Sequence, residues 1–189
     1  MNIVFIGMSG SGKSTFAKYC SELLNMPIID LDEEICKKYG GSIPTIFAVG
    51  GEKLFRELEL KEAVDASALE GAVIATGGGT VTLPEAMKAL KKNGLVIYLN
   101  CDEETICRRL CNETDERPLF AGENSVEETV GRLFCERERL YFEYADMVLN
   151  ESEVLKSRNL LQSPLADQLG ALYLELVLKL EKKVYAKFC

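Results

Sequence analysis

The chain has no histidine, no C-x-x-C pair and no long uninterrupted apolar run. Its seven cysteines (Cys20, Cys36, Cys101, Cys107, Cys111, Cys135 and Cys189) are odd in number and scattered, so neither a disulfide framework nor a four-ligand structural zinc site is expected. Cys107 and Cys111 lie one helical turn apart, but no further Cys or His stands at a suitable spacing, and they read as free thiols of a reducing compartment. The densest apolar stretch, residues 169–180, is broken by Glu175 and Lys179 and is too short and too charged to span a bilayer. Positive charge is also in deficit: 22 Lys and Arg against 30 Asp and Glu leave a net charge of −8, so neither nucleic acid nor an anionic membrane is an expected partner. A protein of this charge that handles anions has to gather its cations in one cleft. Met1 and Asn2 run straight into Ile3-Val4-Phe5-Ile6 with no secretory signal ahead of them, and a cytoplasmic location is expected.

What is present is an ordinary globular balance, 47% hydrophobic and 28% charged over 189 residues, enough for one domain covering residues 1–189 and too little for two. Apolar, β-branched runs at 2–6, 27–29, 72–75, 94–99 and 147–149 alternate with helical patterns at 13–24, 51–69, 84–92, 103–111 and 126–144. The strand runs are apolar throughout, as they must be when helices cover both faces of a parallel sheet. No internal repeat or low-complexity linker is visible. The only extended polar, turn-rich stretch between elements, residues 112–125, predicts a mobile loop, and a further amphipathic helix is predicted at about 165–187.

Gly7-Met8-Ser9-Gly10-Ser11-Gly12-Lys13-Ser14 matches G-x-x-x-x-G-K-[ST] in full, between a strand and a helix whose apolar positions are Phe16, Ala17, Cys20, Leu23 and Leu24. In such a loop Gly10, Ser11, Gly12, Lys13, Ser14 and Thr15 surround the phosphates of a nucleoside triphosphate. Backbone N–H groups and the helix N-terminus face the anion, Lys13 places a charge on the β- and γ-phosphates, and the Ser14 hydroxyl is a ligand for Mg²⁺. The motif is silent about the acceptor.

Asp30 and Asp32 close the second strand, two apart and therefore on one side of an extended segment. One reading gives Asp30 to Mg²⁺ through water and Asp32 to a substrate hydroxyl. The other makes the pair, with Glu33 and Glu34, the acidic first turn of a helix. Taken alone, the two residues do not choose between these readings.

The residues that follow bring a resemblance into view. After Asp30-Leu31-Asp32 come Ser42-Ile43-Pro44-Thr45-Ile46-Phe47, then Gly51-Glu52-Lys53-Leu54-Phe55-Arg56-Glu57-Leu58-Glu59, then Gly77-Gly78-Gly79, Arg117-Pro118-Leu119, and an R-x-x-x-Y from Arg137 to Tyr141. In order and spacing, from the first strand to about residue 150, this set resembles shikimate kinase. The resemblance implies a three-layer α/β/α P-loop kinase fold, with a five-stranded parallel sheet in the order 2-3-1-4-5 and a mobile lid at about 112–125. It implies MgATP as phosphoryl donor and the 3-hydroxyl of shikimate as acceptor, and substrate-binding helices at about 31–60. It assigns Arg56, Arg137, Asp32 and Gly78 to the substrate, Arg109 to adenine and Arg117 to the phosphates as the lid closes.

Those roles suit the chemistry of the residues. Arg56 and Arg137 carry the planar fork that matches a carboxylate, and Glu59, one turn after Arg56, is placed to hold it. Lys13, Asp32 and Arg117 form the expected catalytic set, and Ser14 with Asp30 the expected Mg²⁺ ligands. Arg137 also lies in a charged run that reads equally as solvated surface, and Arg109 has Arg108 beside it. The chain departs from the family at Leu31, where Thr is frequent, and at Arg139, where Pro is common. It lacks the Asp-Thr with a following Pro after Val148, and its tail is longer. A monomer binding ATP and shikimate is expected. The rivals are a P-loop kinase for another small hydroxy acid such as gluconate, and a kinase-like domain that binds without catalysis.

Overall fold

The computed structural model describes residues 1–112 and 125–185. Its five strands are β1 (Asn2–Ile6), β2 (Ile28–Asp30), β3 (Val73–Ala75), β4 (Gly94–Asn100) and β5 (Met147–Asn150). They form one sheet in the order β2-β3-β1-β4-β5 with every neighbouring pair parallel, which is the topology the resemblance implied. Among the described residues the helices are α1 (Lys13–Leu24), α2 (Leu31–Tyr39), α3 (Ile43–Ser67), α4 (Pro84–Asn93), α5 (Glu103–Asn112), α6 (Val126–Tyr144), α7 (Glu151–Ser157) and α8 (Leu165–Tyr185).

The apolar strands sort their side chains between two cores. Val4, Ile6, Ile74, Val96 and Tyr98 point to one face and pack with Ala63 of α3, Met87 and Leu90 of α4, and Leu133 and Tyr141 of α6. Phe5, Val73, Ala75, Ile97 and Leu99 point to the other and pack with Phe16 and Cys20 of α1 and with Ala171, Leu172 and Leu176 of α8. The long tail is therefore part of the second core. Burial also pushes the Cys20 thiol up to about 12, so it behaves there as a small apolar group.

Two helices were not anticipated from periodicity. In α2 the Asp30 carboxylate accepts from the backbone N–H groups of Asp32 (3.1 Å) and Glu33 (3.3 Å), a helix start built from a single side chain. The other, α7, follows β5 without a break. The expected helix at 51–69 begins earlier, at Ile43, where Ser42 caps the first turn. Gly51 interrupts it with φ 66° and ψ −170°, a conformation essentially restricted to glycine, so the predicted start coincides with the kink. Below the kink Phe55 and Leu58 pack against Ile35 and Ile46, joining α2 and α3 in a small core of their own.

Candidate active site

Register brings the site together. Phe5, Ala75 and Asp30 are paired across β1, β3 and β2, so the segments that follow these strands leave the sheet side by side. Those segments are the glycine-rich phosphate loop, the Gly77-Gly78-Gly79 run, and Asp30-Leu31-Asp32. This is the carboxyl edge of a parallel sheet, where open α/β folds place their ligands.

In the phosphate loop Gly10 (φ 79°) and Gly12 (φ 85°) adopt left-handed backbone, which turns the chain into α1 at Lys13. Lys13 is buried, and its Nζ donates to the Met8 carbonyl (2.7 Å), so the ammonium lies back across the loop. The Ser11 hydroxyl is buried without a hydrogen bond among the described residues, the kind of polar atom that a ligand oxygen satisfies. Ser14 and Thr15 are exposed on the first turn of α1.

On the acceptor side Arg56 is gripped by two carboxylates. Its Nη1 donates to Glu59 Oε2 (2.5 Å), and its Nη2 and Nε donate to Glu52 Oε1 (2.9 and 3.2 Å). Glu59 is fully buried, and its other oxygen accepts from the Thr80 hydroxyl (2.6 Å). Burial works against the Arg56 charge, yet Glu59 and Glu52 hold its pKa above the ordinary arginine value. Arg137, which read equally as solvated surface, is only 4% exposed. Its Nη1 donates to the Gly78 carbonyl (3.2 Å), and its Nε is buried with no hydrogen bond among the described residues. The Tyr141 hydroxyl donates to the same carbonyl (2.6 Å), and its ring stacks on Tyr98 at 4.9 Å. Burial raises the Tyr141 pKa well beyond the usual phenol, which keeps it a donor.

This packing explains the three glycines. A side chain at Gly77 would meet Glu59 Oε1 at 2.5 Å and Asp32 Oδ1 at 2.9 Å, and one at Gly78 would meet Ser9 Oγ at 2.6 Å. One at Gly79 would collide with the Arg56 guanidinium. Each glycine lets a different group of the site approach the backbone. Asp32, half-buried on the first turn of α2, thus faces the glycine run, while the Asp30 Oδ1 is engaged as a helix cap.

On the other side of β1, Asn100 and Asn150 are paired at the ends of β4 and β5, and their successors are Cys101 and Glu151. Arg109 rather than exposed Arg108 reaches this point. Its Nη2 and Nη1 donate to Glu151 Oε1 (2.6 Å) and Oε2 (3.1 Å), and Nη1 also lies 3.4 Å from the Gly10 carbonyl. Burial opposes the Arg109 charge, and Glu151 more than restores it. Burial also pushes the Cys101 thiol up, with the Glu151 carboxylate adding to the effect. Arg117 and the interior of the expected lid lie outside the described residues, between Asn112 at the end of α5 and the Ser125–Glu128 capping box of α6.

Sequence reasoning gave no role to Thr80, Tyr141 or Glu151. Tyr141 had a usable signal, since i and i+4 on a helix place it on the same face as Arg137. Thr80 and Glu151 had none, because their partners lie 21 and 42 positions away.

A strand, a glycine-rich loop with its lysine, and a helix, set in a parallel 2-3-1-4-5 sheet beside buried Arg137 and half-buried Arg56, define a P-loop kinase for small molecules. The shikimate kinase family model matches residues 9–167. A shikimate kinase of Tolumonas auensis is 41% identical over 153 residues, covering 81% of this chain and 88% of the relative, and one of Caldicellulosiruptor bescii is 46% identical over 119 residues, covering 63% and 69%. Among solved structures, shikimate kinase from Acinetobacter baumannii in complex with shikimate is similar with a TM-score of 0.81 and 31% identity, covering 96% of this chain and 94% of that one. The chain belongs to the shikimate kinase family. It is an ATP-dependent phosphotransferase acting on an alcohol group.

Proposed function

We propose that this chain transfers the γ-phosphoryl group of MgATP to the 3-hydroxyl of shikimate, with Arg56 and Arg137 holding the substrate carboxylate and Asp32 beside the reacting hydroxyl. The observation that carries this reading is the glycine run. Gly78 packs against Ser9 of the phosphate loop, while Gly77 and Gly79 pack against Asp32 and Arg56, so acceptor groups and phosphate groups share one wall. The buried Nε of Arg137, with no hydrogen bond among the described residues, adds a donor suited to a carboxylate.

In the proposed reaction the acceptor oxygen forms a bond to the γ-phosphorus as the bond to the β–γ bridging oxygen breaks. The hydroxyl proton passes to Asp32 or to water. Lys13 swings from the Met8 carbonyl to the β- and γ-phosphates, and Gly10, Ser11, Gly12, Ser14 and Thr15 surround the phosphates with N–H and hydroxyl donors. We assign Arg117 to the same phosphates on the resemblance alone. Among the described residues no group of three or more His, Cys, Asp or Glu is placed to hold a metal by itself. The hard oxygen donors Ser14 and Asp30 suit an Mg²⁺ that takes most of its ligands from phosphate and water. When bound, the ion neutralises charge on the phosphates.

Among the described residues no helix is long and apolar enough to cross a membrane. A monomer in the cytoplasm, where ATP is available, belongs to the same reading. The test is ADP release by the purified chain with a panel of acceptors. Turnover with shikimate and little with gluconate is expected. Equal ADP release with and without shikimate would remove the assignment.

A further inference from the structure

The pair of half-buried Arg109 and buried Glu151 is left over once the acceptor pocket and the phosphate loop have been described. Glu151 is 6% exposed, and its two oxygens take up both terminal nitrogens of Arg109 in a fork. Nη1 is drawn at the same time toward the Gly10 carbonyl and lies 3.6 Å from where a Gly12 side chain would begin. The guanidinium therefore stands at the border of the phosphate loop with its charge matched by a carboxylate and both terminal nitrogens engaged. The Arg109 side chain nevertheless remains 31% exposed.

An arginine in this state is a poor phosphate clamp, since a second anion gains little from a cation already neutralised at 2.6 Å. What it still offers is a flat, delocalised face, fixed in orientation, and the partner that suits such a face is an aromatic ring. We propose that Glu151 is a positioning residue of the nucleotide site, spending the terminal nitrogens of Arg109 on itself so that Arg109 presents its face to the nucleobase instead of its charge to the phosphates. The inference rests on the reading of the phosphate loop as an ATP site. Its physical content is order: a side chain with several rotatable bonds is locked before the base arrives, and the entropy of locking it is not lost on binding. Fork-to-fork pairing across 42 residues also links the start of α7 to α5 beside the loop.

The test compares ADP with pyrophosphate, which shares the phosphates and lacks the base, by calorimetry on the wild type, Glu151→Gln and Arg109→Lys. In the wild type ADP is expected to bind much more tightly than pyrophosphate. In both variants ADP should weaken on the order of tenfold, the scale of a well-ordered cation–π contact, while pyrophosphate holds or, in Glu151→Gln, tightens as the arginine charge is released. Parallel weakening of ADP and pyrophosphate would show that the pair serves the phosphates and would overturn the proposal. An unchanged gap between the two ligands, with only the melting temperature lowered, would reduce Glu151 to a structural tie and overturn it as well. Shikimate titrated into the same samples separates this from the assignment of function: wild type that fails to bind shikimate contradicts the proposed reaction, while the ADP-to-pyrophosphate gap still decides the role of Glu151.

Discussion

The two halves of the site solve the same problem by different means. Both Arg56 on the β2–β3 side and Arg109 on the β4–β5 side are held by a buried carboxylate, Glu59 in one case and Glu151 in the other. Glu59 is three residues from its arginine on one helix, and a second neighbour, Thr80, satisfies its other oxygen. Glu151 is 42 positions from its arginine and on another helix, so it meets Arg109 only when β5 is in place. The Arg56 anchor is thus assembled within α3, whereas the Arg109 anchor depends on the sheet. Local carboxylates can pre-order an arginine as soon as its helix forms, whereas long-range ones couple it to the tertiary fold.

Removing each anchor sharpens this contrast. Glu59→Ala should have the largest effect, because it leaves the Arg56 charge and the Thr80 hydroxyl without their buried acceptor and opens space beside Gly77. A loss of about 3–5 kcal/mol of stability is expected from breaking a buried pair on one side, with shikimate affinity falling and ADP affinity nearly kept. Denaturant unfolding together with two calorimetric titrations measures all three. Equal losses for both ligands would mean that the halves are not separable.

Lys13 stands between the halves, as the first residue of the helix that follows the central strand, and its removal probes the reaction more than either pocket. Lys13→Ala is expected to raise the barrier by about 3–4 kcal/mol, the scale for losing one preorganised donor at the reacting phosphates. Shikimate binding should fall far less than turnover, since the charge of Lys13 is assigned to the phosphates. Near wild-type turnover in a folded Lys13→Ala protein would contradict the phosphate-loop mechanism.

The smallest expected effect belongs to Tyr141→Phe. The lost hydroxyl donates to a carbonyl that Arg137 also holds, so the carbonyl keeps a partner and the cost is about 1 kcal/mol. Because Arg137 and Gly78 are both proposed to touch substrate, that cost should appear in KM for shikimate before it appears in KM for ATP. A change confined to ATP would place the R-x-x-x-Y helix on the wrong side of the comparison.

What could be read from residues follows the same division. The strands and most helices were legible because continuous apolar runs and 3.6-residue patterns are local properties, and the predicted strand 2–6 and helices 13–24 and 126–144 match the observed bounds. Leu31–Tyr39 was legible as an acidic first turn and from the resemblance but not from periodicity, because Asp30 and Asp32 suited a ligand site equally well. Glu151–Ser157 was too short to show a period. Within the site, Arg56 and Glu59 were readable together as i and i+3. Arg137 was ambiguous because a run of charges looks the same whether one member turns inward or none does, and only its packing under Gly78 decides. Glu151 was not readable at all, since nothing near it in the chain marks it as the partner of Arg109.

The most direct test of this division is a crossed titration of two variants. Arg56→Ala and Arg109→Ala, each verified as folded by circular dichroism, are titrated with shikimate and with ADP. Arg56→Ala should lose about 2–5 kcal/mol of shikimate affinity, as for a desolvated guanidinium–carboxylate contact, and bind ADP as the wild type does. Arg109→Ala should show the reverse, weaker ADP and unchanged shikimate. Loss of both ligands in either variant, or loss of neither in Arg56→Ala, would contradict a site built from two separately anchored halves.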